Sequence, residues 1–150
     1  MTNQAFILSA ARTPIGSFQG CLSSIAAPDL GAHAIAAALA ASAVKLAALD
    51  EVVMGNVISA GLKQAPARQA MRKAGLPDAC GATTINKVCG SGMTATMLAT
   101  DLIRAGSARV VVSGGMESMS NAPYLLAKAR SGMRMGHGEL KDAMFFDGLE

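Results

Sequence analysis

Thr83 to Ala95 reads TTINKVCGSGMTA, and the architecture of the chain turns on this stretch. Thr83 to Val88 (TTINKV) is β-branched and bounded by small residues, the composition of a strand. Gly90 to Ala105 reads as a helix, because Ala95, Leu98, Leu102 and Ala105 recur at helical spacing and Gly106 supplies a stop. On either side the alternation repeats. Arg109 to Ser113 (RVVVS) predicts a fully buried strand and Glu51 to Ile58 (EVVMGNVI) another. Between them, Ala67 to Ala74 is a short helix stopped by Gly75 and Pro77. Pro28-Asp29 opens an Ala-rich helix running to Val44, with Asp29 as its cap and Ile35, Ala38, Leu39 and Ser42 on one face. Ala5 to Ala11 (AFILSAA) predicts a first, buried strand, broken by Thr13-Pro14-Ile15-Gly16. The order βαβαβαβ implies an α/β layer of mostly parallel strands.

After Gly114-Gly115 the character changes. Met116 to Glu150 holds five Met, scattered Gly, and Lys128, Arg130, Arg134 and Lys141. The expected division is a core of residues 1–116 and the start of a loop module over residues 117–150.

Composition excludes several classes. Charged residues are 15% and hydrophobic residues 51% of the 150, against about 25% and about 45–50% in an ordinary globular protein. That is the reverse of a disordered chain. Aromatics are 3% and Trp is absent, so the interior is built from Ala, Val, Ile, Leu and ten Met. So little charge predicts that another domain or subunit covers part of the surface. A net charge of +3 without a basic stripe gives no case for nucleic acid. Ala34 to Val44, the longest nearly uncharged helical stretch, is far short of the ~18–20 residues of a membrane span. No basic segment precedes the first apolar run, so a secretory leader is not expected and a cytoplasmic location is. Three cysteines without C-x-x-C, and two His not paired at ligand spacing, make neither a zinc site nor a disulfide framework.

Cys89 falls where a buried strand becomes a helix. Free N–H groups and the positive end of the helix dipole stabilise an anion there, and the thiolate is the nucleophilic form of cysteine. Gly90, Ser91 and Gly92 leave the approach to the sulfur open, as in a nucleophile elbow, and backbone N–H groups there suit an oxyanion. Two other readings stand beside this one. A free cysteine is commonly a small buried hydrophobe. Gly90-x-Gly92-x-x-Ala95, with Glu117 about 20 residues on, also fits the dinucleotide-binding spacing.

Asn86 to Ala95 (N-x-x-C-G-S-G-M-x-A) followed by Gly114 to Tyr124 (GGMESMSNAPY) resembles the thiolase family, the acyl-CoA acetyltransferases. Arg12 to Gly16 (RTPIG), Pro66 to Ala70 (PARQA), Arg134-Met135-Gly136 and Asp147-Gly148-Leu149 occur in the same order in thiolases, so the resemblance runs over all 150 residues. It implies the layered thiolase fold, and that Cys89 accepts an acyl group from an acyl-CoA as a thioester, its backbone N–H forming half of an oxyanion hole. A second, deprotonated acetyl-CoA then attacks that thioester to give a 3-ketoacyl-CoA, and thiolysis is the reverse. It further implies Leu149 and Met135 as substrate-binding residues, coenzyme A thioesters as substrates without any bound cofactor, a homodimer or homotetramer, and a tetramerisation loop near Leu125 to Gly138. The family's G-H-P-x-G and C-x-G-x-G motifs do not occur here, since His137 lies in Gly-His-Gly and neither Cys21 nor Cys80 is followed by x-G-x-G. The chain is therefore expected to be a first half, inactive alone.

The remaining residues read more plainly. His33 is a satisfied helix histidine, His137 a solvated loop histidine, and Cys21 and Cys80 are without a role. Lys128, Arg130 and Arg134 form a solvated face that attraction to coenzyme A phosphates would otherwise explain. Asn86 either orients the Cys89 turn or satisfies a strand edge. Glu117 either bonds to backbone or serves the site. Gln64 and Arg68 have no assignable chemistry.

Overall fold

The computed structural model describes residues 3–150. Its core is a three-stranded parallel sheet with helices on both faces. In chain order the elements are α1 (Ala27–Ser42), β1 (Glu51–Gly55), α2 (Pro66–Lys73), β2 (Gly81–Ile85), α3 (Ser91–Arg104) and β3 (Val111–Gly115). The strand order is β2-β1-β3, with Glu51 opposite both Gly81 and Val111, and Gly55 opposite both Ile85 and Gly115. Right-handed crossovers running in opposite directions along a parallel sheet put their helices on opposite faces. Accordingly α2 packs on β2 and β1, with α1 laid against it, and α3 packs on β3 and β1.

The central strand shows the two-residue period of a sheet covered on both sides. Val52 and Met54 join Ile35, Leu39, Ala70 and Met71 in the α1–α2 core. Val53 and Gly55 face the other way, and the Gly55 position lies directly against Ser91 at the start of α3. Burying a Val, Leu or Met side chain contributes roughly 1.5–3 kcal/mol, and Val52 and Met71 are wholly buried.

Four expectations are corrected. Ala5 to Ala11 forms no strand among the described residues. The segment runs without a ladder partner, Ile7 is 85% exposed, and Ser9 Oγ donates to Ala38 O at 2.7 Å. An apolar run earns burial only where a sheet edge receives it. The strand expected at Arg109 to Ser113 starts two residues later, at Val111, and is half-buried because only β1 flanks it. Asp29 does not cap α1; its carboxylate pairs with Lys73 of α2, and the helix ends at Ser42, whose Oγ takes the Val44 N–H at 3.2 Å. The sheet-facing side of α3 is Ser91, Ala95 and Ala99 rather than the Ala95-Leu98-Leu102-Ala105 stripe. The helix lies too close to the Gly55 and Gly115 backbones for larger side chains, so Met93, Met97 and Leu98 point outward.

Past β3 the chain forms short elements. A two-residue ladder pairs β4 (Tyr124–Leu125) with β5 (Lys141–Asp142), and one turn of helix, α4 (Ala143–Phe146), follows, capped by Asp142. Residues 126–140 between the two strands are exposed. Among the described residues no helix is long and apolar enough to cross a membrane.

Candidate active site

The β2–α3 junction is a sharp turn held from within. Val88, the residue before Cys89, has φ 49°, a left-handed conformation that is a genuine outlier for a β-branched side chain. Such strain persists only where the surroundings hold it, and three side-chain bonds do so here. Asn86 Oδ1 accepts from Val88 N at 2.9 Å, Ser91 Oγ accepts from Lys87 N at 2.8 Å, and the same hydroxyl donates to Val88 O at 2.6 Å. Ser91 is buried, locking the first turn of α3 to the strand end. Asn86 therefore orients the turn, one of its two expected roles.

Glycines let the turn sit on the sheet. A Cβ on Gly55 would lie 2.6 Å from Ser91 Cβ and 2.7 Å from its carbonyl carbon, and a Cβ on Gly115 would lie 3.4 Å from Gly92 Cα. The start of α3 thus rests on bare backbone at the carboxyl ends of β1 and β3, and Cys89 stands exposed at that edge.

Cys89 opens into a cavity of about 380 Å³ whose apolar lining includes Val57, Ile58, Met116, Met119 and Leu149. Glu117 forms part of its wall. Its Oε2 accepts from Val57 N at 2.8 Å, and its Oε1 from Asn56 Nδ2 at 2.9 Å and Ile58 N at 3.2 Å. Burial pushes the Glu117 carboxyl above the usual carboxylate range, and the Val57, Ile58 and Asn56 donors pull it back only in part. Both Glu117 oxygens are engaged, so the carboxylate is not offered to a ribose, and the dinucleotide reading of Gly90 and Gly92 loses its acidic partner.

Of the expected substrate-binding residues, the structure brings Leu149 to the cavity and not Met135. Met135 is 98% exposed and lies outside the lining, because the loop that carries it stands away from the core. His33 is also exposed, on the outer side of α1. His137, Lys128, Arg130 and Arg134 are exposed together with the loop around them. Cys21 is exposed, while Cys80 is buried in the core, where desolvation raises its thiol pKa. Arg68 has a structural task, donating to Cys80 O at 2.7 Å and Asp78 O at 3.1 Å, and Gln64 contributes its carbonyl to Gln69 Nε2 at 2.6 Å. Sequence reading missed Asn56, Ser91 as a lock, and Asn121, which donates to Ser23 O and Ile25 O. A lone polar residue inside the apolar run Glu51 to Ile58 was the available signal for Asn56.

A family model described as "Thiolase, N-terminal domain" matches residues 5–150. The chain belongs to the thiolase family. The acetyl-CoA acetyltransferase of Cupriavidus necator is 55% identical over 143 residues, which is 95% of this chain and 36% of that enzyme. That of Escherichia coli is 54% identical over 144 residues, again 95% and 36%. Among solved structures, the Acat5 thiolase of Ascaris suum in complex with coenzyme A superposes with a TM-score of 0.94 at 42% identity, covering 97% of this chain and 38% of that one. The α/β fold expected from the sequence is the one found. This thiolase chain spans about 36% of the length of the curated relatives it matches.

Proposed function

We propose that Cys89 is the nucleophile of an acyl transfer between coenzyme A thioesters, serving formation or cleavage of a 3-ketoacyl-CoA. The observation that carries this reading is the exposed sulfur on a strained, side-chain-locked turn, facing an apolar cavity large enough for an acyl chain. The Cys89 thiolate attacks the thioester carbonyl of an acyl-CoA, the carbonyl oxygen takes the negative charge, and coenzyme A leaves as its thiolate, with the acyl group now on sulfur. Backbone N–H groups at the head of α3, that of Cys89 among them, stabilise the oxyanion. A carbanion from a second acetyl-CoA then attacks the acyl carbon and releases Cys89; thiolysis runs these steps backwards. Leu149 flanks the acyl group. Family membership supports the chemistry, and relatives 54–55% identical over the matched residues carry the name acetyl-CoA acetyltransferase.

These 150 residues hold no G-H-P-x-G and no C-x-G-x-G. A general acid and a general base each contribute about 10²–10⁴-fold, so we expect the stretch by itself to hold an acyl group without turning over. Residues 117–150 we assign to the beginning of the loop module, with homodimer or homotetramer formation by the complete enzyme.

The test uses the chain's own cysteines. Cys21 and Cys89 are both exposed. Iodoacetamide at neutral pH should alkylate Cys89 faster than Cys21, and acetyl-CoA should protect Cys89 alone, as read by peptide mass spectrometry. Equal rates without protection would remove the nucleophile assignment.

A further inference from the structure

The ends of all three strands are tied together beside Cys89, and one carboxylate makes half of the ties. Glu117, two residues past β3, reaches across to the segment leaving β1 and holds Val57 N, Ile58 N and Asn56 Nδ2. Asn56 Nδ2 also donates to Met116 O at 3.1 Å, and its backbone N–H to Ile85 O at 3.0 Å. Asn86, from the Cys89 turn, donates to Val57 O at 3.4 Å. Two acceptors around Nδ2 fix which way the Asn56 amide faces.

The arrangement is costly for one with a purely structural purpose. Two consecutive amide N–H groups are ordinarily satisfied by a turn carbonyl or by water, without placing a charge in a half-buried position. Asn56 is 2% exposed, yet its Oδ1 has no hydrogen-bond partner among the described residues. A buried polar atom left short of a partner calls for an explanation, and a role at a functional site is one. What the carboxylate fastens is also specific, for Val57 and Ile58 form one part of the apolar wall of the cavity that Cys89 faces.

We propose that Glu117 is a positioning residue for acyl recognition: through its bonds to Val57, Ile58 and Asn56 it sets the apolar wall at the separation from Cys89 that an acyl chain requires. Its hydrogen bonds go to Val57, Ile58 and Asn56, and none goes to Cys89. This rests on the reading of Cys89 as the acyl-accepting nucleophile and adds the element that shapes its selectivity. Gln at this position keeps the size but turns an N–H toward one of the donors, leaving at least one backbone amide unpaired and the wall free to shift. Asp keeps the charge and withdraws it by one methylene.

The experiment compares two alkylating probes at Cys89 in the full chain, iodoacetamide and N-hexyl-iodoacetamide, with site-specific rates from peptide mass spectrometry. Cys21 is the internal reference for intrinsic probe reactivity. In the wild-type chain the hexyl probe should be favoured at Cys89 over Cys21 by about tenfold. Glu117→Gln should lower that preference at least fivefold, read as the ratio of the hexyl to the iodoacetamide rate at Cys89, so that a change common to both probes cancels. A general structural lesion would move both rates together and would not be selective for the apolar probe. Glu117→Asp should fall between the two, and it carries the same test should the Gln variant not fold. A folded Gln or Asp variant that keeps the full preference overturns the positioning role and leaves the nucleophile assignment standing. A wild-type chain without preference for the hexyl probe overturns the role together with the acyl-cavity reading.

Discussion

The two faces of the sheet are built on opposite logic. On the α1–α2 side, space is filled: Ile35, Leu39, Val52, Met54 and Met71 interlock, and small residues are left for the points where the helices cross. On the α3 side, space is removed: Gly55, Ser91, Gly92, Ala95 and Ala99 bring backbone against backbone, and the large apolar side chains of α3 face outward, Met93 at 74% and Met97 at 60% exposure. One face stabilises the molecule by burial. The other gives up burial to set the height of one turn, the turn that holds Cys89.

This contrast predicts where substitutions hurt and how. The largest loss belongs to the filled face. Met71 is wholly buried, and Met71→Ala leaves a cavity there, which costs about 2–5 kcal/mol. Urea unfolding should show that loss with the relative reactivity of Cys89 in the folded state unchanged; a loss below about 1 kcal/mol would mean the face is not packed as described. Gly55→Ala acts on the other face. Its new Cβ meets Ser91 Cβ and backbone at 2.6 and 2.7 Å, so α3 must move, at a cost of about 1–3 kcal/mol typical of overpacking. Here the alkylation rate of Cys89 should change in the folded protein, which sharpens the comparison, since a smaller stability loss carries the larger effect on the site. The smallest effect is expected on the outer side of α3. Met97→Ala should change stability by no more than about 0.5 kcal/mol, as at other surface positions. A loss of 2 kcal/mol or more there would break the contrast by showing that this side is packed after all.

Local pattern made much of this legible. The alternation of helices and strands, the position of Cys89 at a strand-to-helix turn, and the Gly106 stop all follow from spacing and residue type within a few positions. What stayed hidden had non-local causes. Ala5 to Ala11 has the composition of a buried strand, but composition carries no information about whether a sheet edge lies alongside. The face of α3 was misjudged because periodicity ranks positions by apolarity, while the glycines of β1 and β3 admit only small side chains. Met135 and Leu149 sit in equally suggestive motifs, and only the return of the chain at Gly148, against Ile58, puts Leu149 in the cavity.

Residue order alone determined the kind of fold, the thiolase resemblance and the place of Cys89 at a strand-to-helix turn, because each rests on contacts within a turn or on motifs read along the chain. Tertiary structure decided how the Cys89 turn is held and walled. Glu117 meets Val57 across 60 residues of sequence, and no local preference distinguishes a carboxylate that reaches water from one that two strand ends enclose.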